Sequence, residues 1–233
     1  MKSYDLLAKY YDKLTIDQAG VKAWCDFTKQ YACGRSLLEL ACGSGAITLE
    51  LVKAGFKVKG LDLSESMLKI AVDKLEGLDV DLTLGDMCHF TYPHKFDTIV
   101  CYNDSINYLA TKDDLKHLFA CVYTQLNEKG CFLFDIHTTE RLEEFEDEFV
   151  EEGYIDDTPY QWSIKTDENH ICHAITFYLD KIPYTEQHIQ TVFDKQMVKK
   201  LLDQAGFDYQ VKTDFIKSED TKGEKWFFIA KRR

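Results

Sequence analysis

An apolar run that ends in an acid and then breaks into a glycine turn, Leu37-Leu38-Glu39-Leu40-Ala41-Cys42-Gly43-Ser44-Gly45, most restricts what this 233-residue chain can fold into. The run reads as a strand, and residues 46–53 behind the turn carry a helical pattern. A tight turn without side chains lets backbone amides and a helix N-terminus come close to a ligand. Strand-like runs recur at 36–40, 57–61, 80–84, 98–102 and 131–136. Helical patterns lie between them. Residues 65–74 follow Ser64, a suitable N-cap, and 112–126 place Leu115, Leu118, Phe119, Val122 and Leu126 on one face. Such alternation predicts an α/β fold, a parallel sheet with helices on both faces and a ligand outside the carboxyl ends of its strands.

The second strand, Val58-Lys59-Gly60-Leu61-Asp62-Leu63, ends in a carboxylate suited to the paired hydroxyls of a ribose. A dinucleotide is not indicated. Its fingerprint needs a third glycine three residues after the second, and Thr48 stands there. With Glu39, Ala41, Gly43 and Gly45 in the turn and Asp62 beyond it, the chain resembles the S-adenosylmethionine-dependent methyltransferases with a Rossmann-like fold. Leu84-Gly85-Asp86-Met87 is similar to the adenine-contacting segment of that family, and Phe96-Asp97-Thr98-Ile99-Val100-Cys101 to its fourth strand. The resemblance covers most of residues 1–135 and the C-terminal end.

It implies a seven-stranded, mostly parallel sheet and S-adenosyl-L-methionine as cofactor. The turn at 43–45 would contact the methionyl end, and Asp62 would accept from both ribose hydroxyls. Leu63 and Met67 would line the adenine, Asp86 would accept from its amino group, and the Met87 backbone would touch the ring. Glu39 could also bond the amides of the loop. Tyr10-Tyr11-Asp12, followed by Trp24, resembles a segment that folds over the cofactor in one subgroup, which puts Tyr11 at the methionyl end. The loop from Cys101 through Asn103 and Asp104 would lie between cofactor and acceptor. It lacks the prolines of the DNA amino-methyltransferases, so methylation of an exocyclic base nitrogen is not expected.

After residue 138 the alternation breaks. Residues 140–152 are acidic and helical in spacing, with Leu142, Phe145 and Phe149 on one side. Runs at 160–164, 170–180 and 184–193 are aromatic and β-branched and read as a small antiparallel sheet. A helix at 195–205 ends at Gly206, and 209–215 with 225–230 form a closing hairpin. The expected organisation is a Rossmann-like core of 1–138 and 194–233 with an inserted antiparallel β lid at 139–193. His137 closes the fifth strand. Tyr184-Thr185-Glu186-Gln187-His188 resembles a stretch of a bacterial subgroup with such a lid, although Gln190-Thr191 replaces a Gln-Arg pair seen there. Glu186 and His188 share one face of a strand. His137, His188 and Glu186 are therefore the catalytic candidates.

The net charge of −12 argues against general affinity for nucleic acid, which needs a basic face. No apolar run approaches the ~20 residues of a membrane span. The eight cysteines show neither Cys-x-x-Cys nor zinc spacing, so a reduced, cytoplasmic protein without a metal is expected. The reading is a methyltransferase that moves a methyl group in line onto a small-molecule acceptor, leaving S-adenosylhomocysteine. Its task is to hold donor and acceptor collinear and exclude water. An RNA or protein methyltransferase would need an open or basic groove, and a binding protein without turnover is the other alternative. Acceptor and oligomeric state are not legible in the residues.

Overall fold

The computed structural model describes residues 7–15 and 17–233. Helices α1 (Leu7–Thr15) and α2 (Gln18–Tyr31) lead into β1 (Ser36–Leu40), α3 (Ala46–Lys53), β2 (Lys57–Asp62), α4 (Glu65–Lys74) and β3 (Asp81–Leu84). Next come β4 (Phe96–Cys101), α5 (Lys112–Gln125) and β5 (Leu126–His137). A short α6 (Glu140–Glu144) precedes β6 (Phe149–Ile155), β7 (Thr158–Asp167), β8 (His170–Leu179) and β9 (Ile182–Thr191). The chain closes with α7 (Lys195–Ala205), β10 (Phe207–Thr213), β11 (Lys217–Ser218) and β12 (Lys225–Arg232).

The main sheet has the order β3-β2-β1-β4-β5-β12-β10-β11. Strands β1 to β5 run parallel, and β12 is antiparallel to both β5 and β10. This is the Rossmann-like sheet expected. Its seven long strands are joined by β11, a two-residue edge piece on β10. Strand order reverses beside β1, whose neighbours are β2 and β4, so a crevice opens at their carboxyl ends.

Period-2 alternation divides the core between the two faces of the sheet. Leu38, Ile99, Phe132, Phe134 and Phe228 pack with α5 and α7 on one side. Leu37, Val100, Leu133, Phe227 and Ile229 pack with α2 and α3 on the other. Strand β5 is apolar on both faces from Cys131 to Phe134, as a central strand covered on both sides must be.

Strands β6-β7-β8-β9 form a second, antiparallel sheet. Ile155, Ile175 and Phe177 on it pack against Leu7 and Tyr10 of α1, and Tyr10 stacks on Phe177 at 4.7 Å. Here the structure corrects the sequence reading. The helical spacing at 140–152 holds only through Glu144, and from Phe149 the chain is an edge strand in register with β7. Backbone pairing from Phe149↔Ile164 to Ile155↔Thr158 outweighs the spacing of three apolar residues. The second sheet accordingly has four strands where three were expected.

Candidate active site

The chain leaves β1 through a turn with three residues at positive φ: Ala41 at 53°, Gly43 at 54° and Gly45 at 76°. Gly45 caps α3 through its backbone alone. A Cβ on Gly43 would meet nothing within 4 Å, whereas one on Gly45 would lie 3.2 Å from the Ala71 Cβ and 3.1 Å from a Leu75 methyl. The first glycine thus faces open space above the turn, and the second permits close packing on α4.

Asp62, at the end of β2, is buried. Its Oδ2 accepts the Gly43 amide at 2.7 Å and its Oδ1 the Ser64 amide at 2.8 Å. Burial raises its carboxyl, against the pull of these amides. The Leu63 amide also acts on this carboxylate, which offers about four lone-pair sites in all. Glu39 does not bond the loop amides. Its Oε2 accepts the Thr48 hydroxyl at 2.6 Å, so the residue that breaks the dinucleotide fingerprint ties α3 to β1. Burial pushes the Glu39 carboxyl up to about 8.

Helix α1 lies over this turn. Asp12 accepts from the Ser44 hydroxyl and the Lys74 ammonium, and Lys74 also donates to Ser44 Oγ at 3.0 Å. The Tyr11 hydroxyl accepts from Asn103 Nδ2 at 3.2 Å. Asn103 and Asp104 follow β4 at φ 55° and 59°, a consecutive left-handed pair of a kind rare outside glycine. Tyr10 instead joins the second sheet, with its hydroxyl 3.2 Å from Thr158 Oγ1. Trp24 donates to Asp135 Oδ2 at 2.9 Å.

Other candidates fall differently. Leu63 is 75 % exposed and Leu84 is 56 % exposed beside the end of β2, an apolar surface open to a flat ring. Met67 and Cys101 are 3 % and 0 % exposed, so their side chains pack in the interior and do not line a cleft. Asp86 accepts the Cys88 amide at 2.8 Å and lies 3.0 Å from His89 Nδ1. Burial opposes these bonds but they hold its carboxyl below the usual range. Met87 packs on the core.

At the far end of the cleft β5 meets β9. The His137 amide donates to Asn107 Oδ1 at 3.1 Å, and Asn107 Nδ2 donates to the Thr191 carbonyl at 2.7 Å. His137 Nε2 lies 3.0 Å from Gln190 Oε1, and its Nδ1 lies 3.4 Å from Asp104 Oδ1. Lys225, on β12, donates to Asp104 at 2.9 Å and sits 3.7 Å from Asp135. Burial would raise Asp104, but His137 and Lys225 outweigh it and hold its carboxyl low. Burial raises Asp135. Glu186 and His188 approach to 3.6 Å on the inner face of β9, and Glu186 accepts the Leu7 amide at 3.1 Å. The structure therefore brings His137 to the face that carries Glu186 and His188. Sequence reasoning named Gln190 without giving it a role and missed Lys225, Asp135 and Lys74. Only Asp135 gave a signal, a carboxylate inside an otherwise apolar strand.

Residues 37–130 match a family model described as a methyltransferase domain. A protein of Geobacillus sp. (strain WCH70), named as a methyltransferase, is 30% identical across 99% of this chain and 100% of its own length. The crystal structure of an S-adenosylmethionine-dependent methyltransferase from Clostridium acetobutylicum ATCC 824 superposes with a TM-score of 0.84 at 26% identity, covering 98% of each chain. The sugar N-methyltransferase KedS8 from Streptoalloteichus sp ATCC 53650 superposes at 0.80 with 21% identity, covering 98% of this chain and 93% of its own. Sheet order and glycine turn define a class I methyltransferase fold. The chain belongs to the S-adenosylmethionine-dependent methyltransferase family, an enzyme family whose cofactor is S-adenosyl-L-methionine. Among the described residues no helix is long and apolar enough to cross a membrane.

Proposed function

We propose that this enzyme methylates a small polar acceptor enclosed between the end of the core, residues 1–138 and 194–233, and the lid formed by 139–193. The observation that carries this reading is the inner face of β9. Glu186, His188 and Gln190 are 7%, 4% and 6% exposed there and lie over the end of β5. A roofed cleft suits an enclosed molecule better than a polymer, and the net charge of −12 disfavours a polyanion. Likeness to an enzyme named for sugar N-methylation favours an amino group on a small polyol-like acceptor. Eight free cysteines suit a reducing cytoplasm.

The residues fit the cofactor: open space over Gly43, the lone-pair sites of Asp62 and the exposed Leu63 and Leu84. When bound, S-adenosyl-L-methionine supplies a methyl group already activated on a sulfonium. The amides of 43–45 and the N-terminus of α3 take the methionyl carboxylate side. Asp62 accepts from the ribose hydroxyls, Leu63 and Leu84 flank the adenine, and Asp86 with the Met87 backbone meets its edge. Glu39 and Ala41 shape the turn, while Met67 and Cys101 pack beneath. Tyr11, held by Asn103, covers the donor. His137, His188 and Glu186 orient the acceptor or receive its proton. Most of the rate enhancement comes from alignment and water exclusion.

The test is S-adenosylhomocysteine formation in cell extract separated into small-molecule and macromolecular fractions. Turnover with the small-molecule fraction is expected. Turnover with only the macromolecular fraction would move the acceptor to RNA or protein, and none with either, despite cofactor binding, would favour a binding protein.

A further inference from the structure

Donors and acceptors along the buried seam between lid and main sheet can be assigned one after another. Trp162 Nε1–H can only donate, so His173 Nδ1, 3.2 Å away, accepts. Burial holds His173 neutral by depressing its pKa to about 4. A neutral imidazole that accepts at Nδ1 carries its hydrogen on Nε2. That N–H meets Gln190 Oε1 at 3.1 Å, which sets the amide with its oxygen toward the ring. The same oxygen lies 3.0 Å from His137 Nε2, so this nitrogen must donate as well. Nδ1 of His137 is then the ring atom left to exchange a proton, and it faces Asp104 Oδ1 at 3.4 Å.

We infer that Gln190, backed by His173 and Trp162, is a positioning residue that locks His137 Nε2 as a donor and leaves Nδ1 turned to Asp104 Oδ1. Asp104 Oδ1 then fixes the other edge of the ring. The same pocket holds the other charged groups around His137. Lys225 from β12 and Asp135 from β5 lie beside Asp104, Arg141 from α6 acts on both Asp104 and Lys225, and Glu186 and His188 approach along β9. The kinetic consequence rests on the proposed acceptor-side role of His137; the tautomer lock does not.

The test uses the full chain labelled with 15N-histidine and long-range 1H–15N correlation. His137 and His173 are assigned by loss of their signals in His137→Asn and His173→Asn. In the wild type, both rings are expected to carry hydrogen on Nε2, and His173 Nδ1 to be bare. Gln190→Met keeps the volume but removes the shared acceptor. It should release the Nε2–H preference of His137 and cut S-adenosylhomocysteine formation from the small-molecule fraction by about tenfold or more. Gln190→Glu keeps an acceptor oxygen and should restore the tautomer and most of the turnover. S-adenosylmethionine affinity should hardly change in either. A bare His137 Nε2 in the wild type, or an unchanged tautomer in Gln190→Met, overturns the lock. A tautomer that follows Gln190 while turnover does not supports the lock and removes His137 from the acceptor side.

Discussion

The two ends of the cleft are built from different material. At the cofactor end the contacts are short in sequence and rich in backbone: the Gly43 amide and Asp62 are 19 residues apart, and Thr48 and Glu39 are 9 apart. At the proposed acceptor end they are side-chain contacts between distant segments: 53 residues separate His137 from Gln190, and 121 separate Asp104 from Lys225. The first set follows from the shape of one turn. The second exists only when β5, β9 and β12 have come together. One end should therefore respond to backbone changes, and the other to changes of donor and acceptor.

The largest expected effect is at the turn. Gly45→Val should abolish S-adenosylmethionine binding and lower Tm, because its side chain runs into Ala71 and Leu75 at a φ that β-branched residues resist. Gly43→Val should abolish binding with a smaller loss of Tm, since no protein atom lies within 4 Å of an added Cβ. Calorimetry and thermal melts on both separate the effects, and equal melts would remove the distinction between cradle and packing glycine. At the other end, His137→Ala should slow turnover about 100-fold with little change in cofactor affinity, as expected for a group that acts mainly in the transition state. His188→Ala should follow the same pattern. Cofactor loss in either variant would merge the two ends into one cooperative unit.

A smaller effect is expected at Asp62. Asp62→Ala should weaken cofactor binding by about 2–3 kcal/mol, taking ~1.5 for each of two charge-assisted bonds. Unchanged affinity by titration calorimetry would withdraw the ribose assignment. The smallest concerns Glu39, whose folded carboxyl is raised to about 8 from an ordinary 4.5. The folded chain then holds a proton that the unfolded chain releases. Stability is full below the unfolded value and falls as pH rises toward 8. Glu39→Gln keeps the bond from Thr48 and removes that fall. Its advantage over the wild type should open between about pH 5 and 8, by at most ~1.4 kcal/mol per pH unit, and then stay flat. Urea unfolding across this range measures it, and a parallel pair of curves would contradict the assignment.

The glycine turn and the strand-end acid were legible in the sequence because they are local statements. The sequence could not say which apolar neighbours face the ligand. Leu63 and Met67 stand four positions apart, yet Leu63 precedes α4 and is exposed, while Met67 on α4 is packed in the core. The misreading at 140–152 arose because Leu142, Phe145 and Phe149 keep helical spacing while β6, an edge strand, shows no alternation to contradict them. Gln190 was legible only as the neighbour of Thr191, which stands where the subgroup has an arginine. Its meaning depends on His173, 17 residues away, and on His137 across the seam.

Helix α1 adds a kinetic consequence. In 9 residues it touches the glycine turn and α4 through Asp12, and the lid through the Leu7 amide and Tyr10. If α1 covers the donor and the lid roofs the acceptor, as proposed, these contacts couple the two. Departure of the spent donor would then require α1 to lift, and an acceptor held under the roof would keep it down. The expected turnover is ordered, with the donor first to arrive and its remnant last to leave, which product-inhibition patterns would display. Lys74→Ala, by loosening the latch at Asp12, should shorten the stay of S-adenosylhomocysteine and leave the order of events intact.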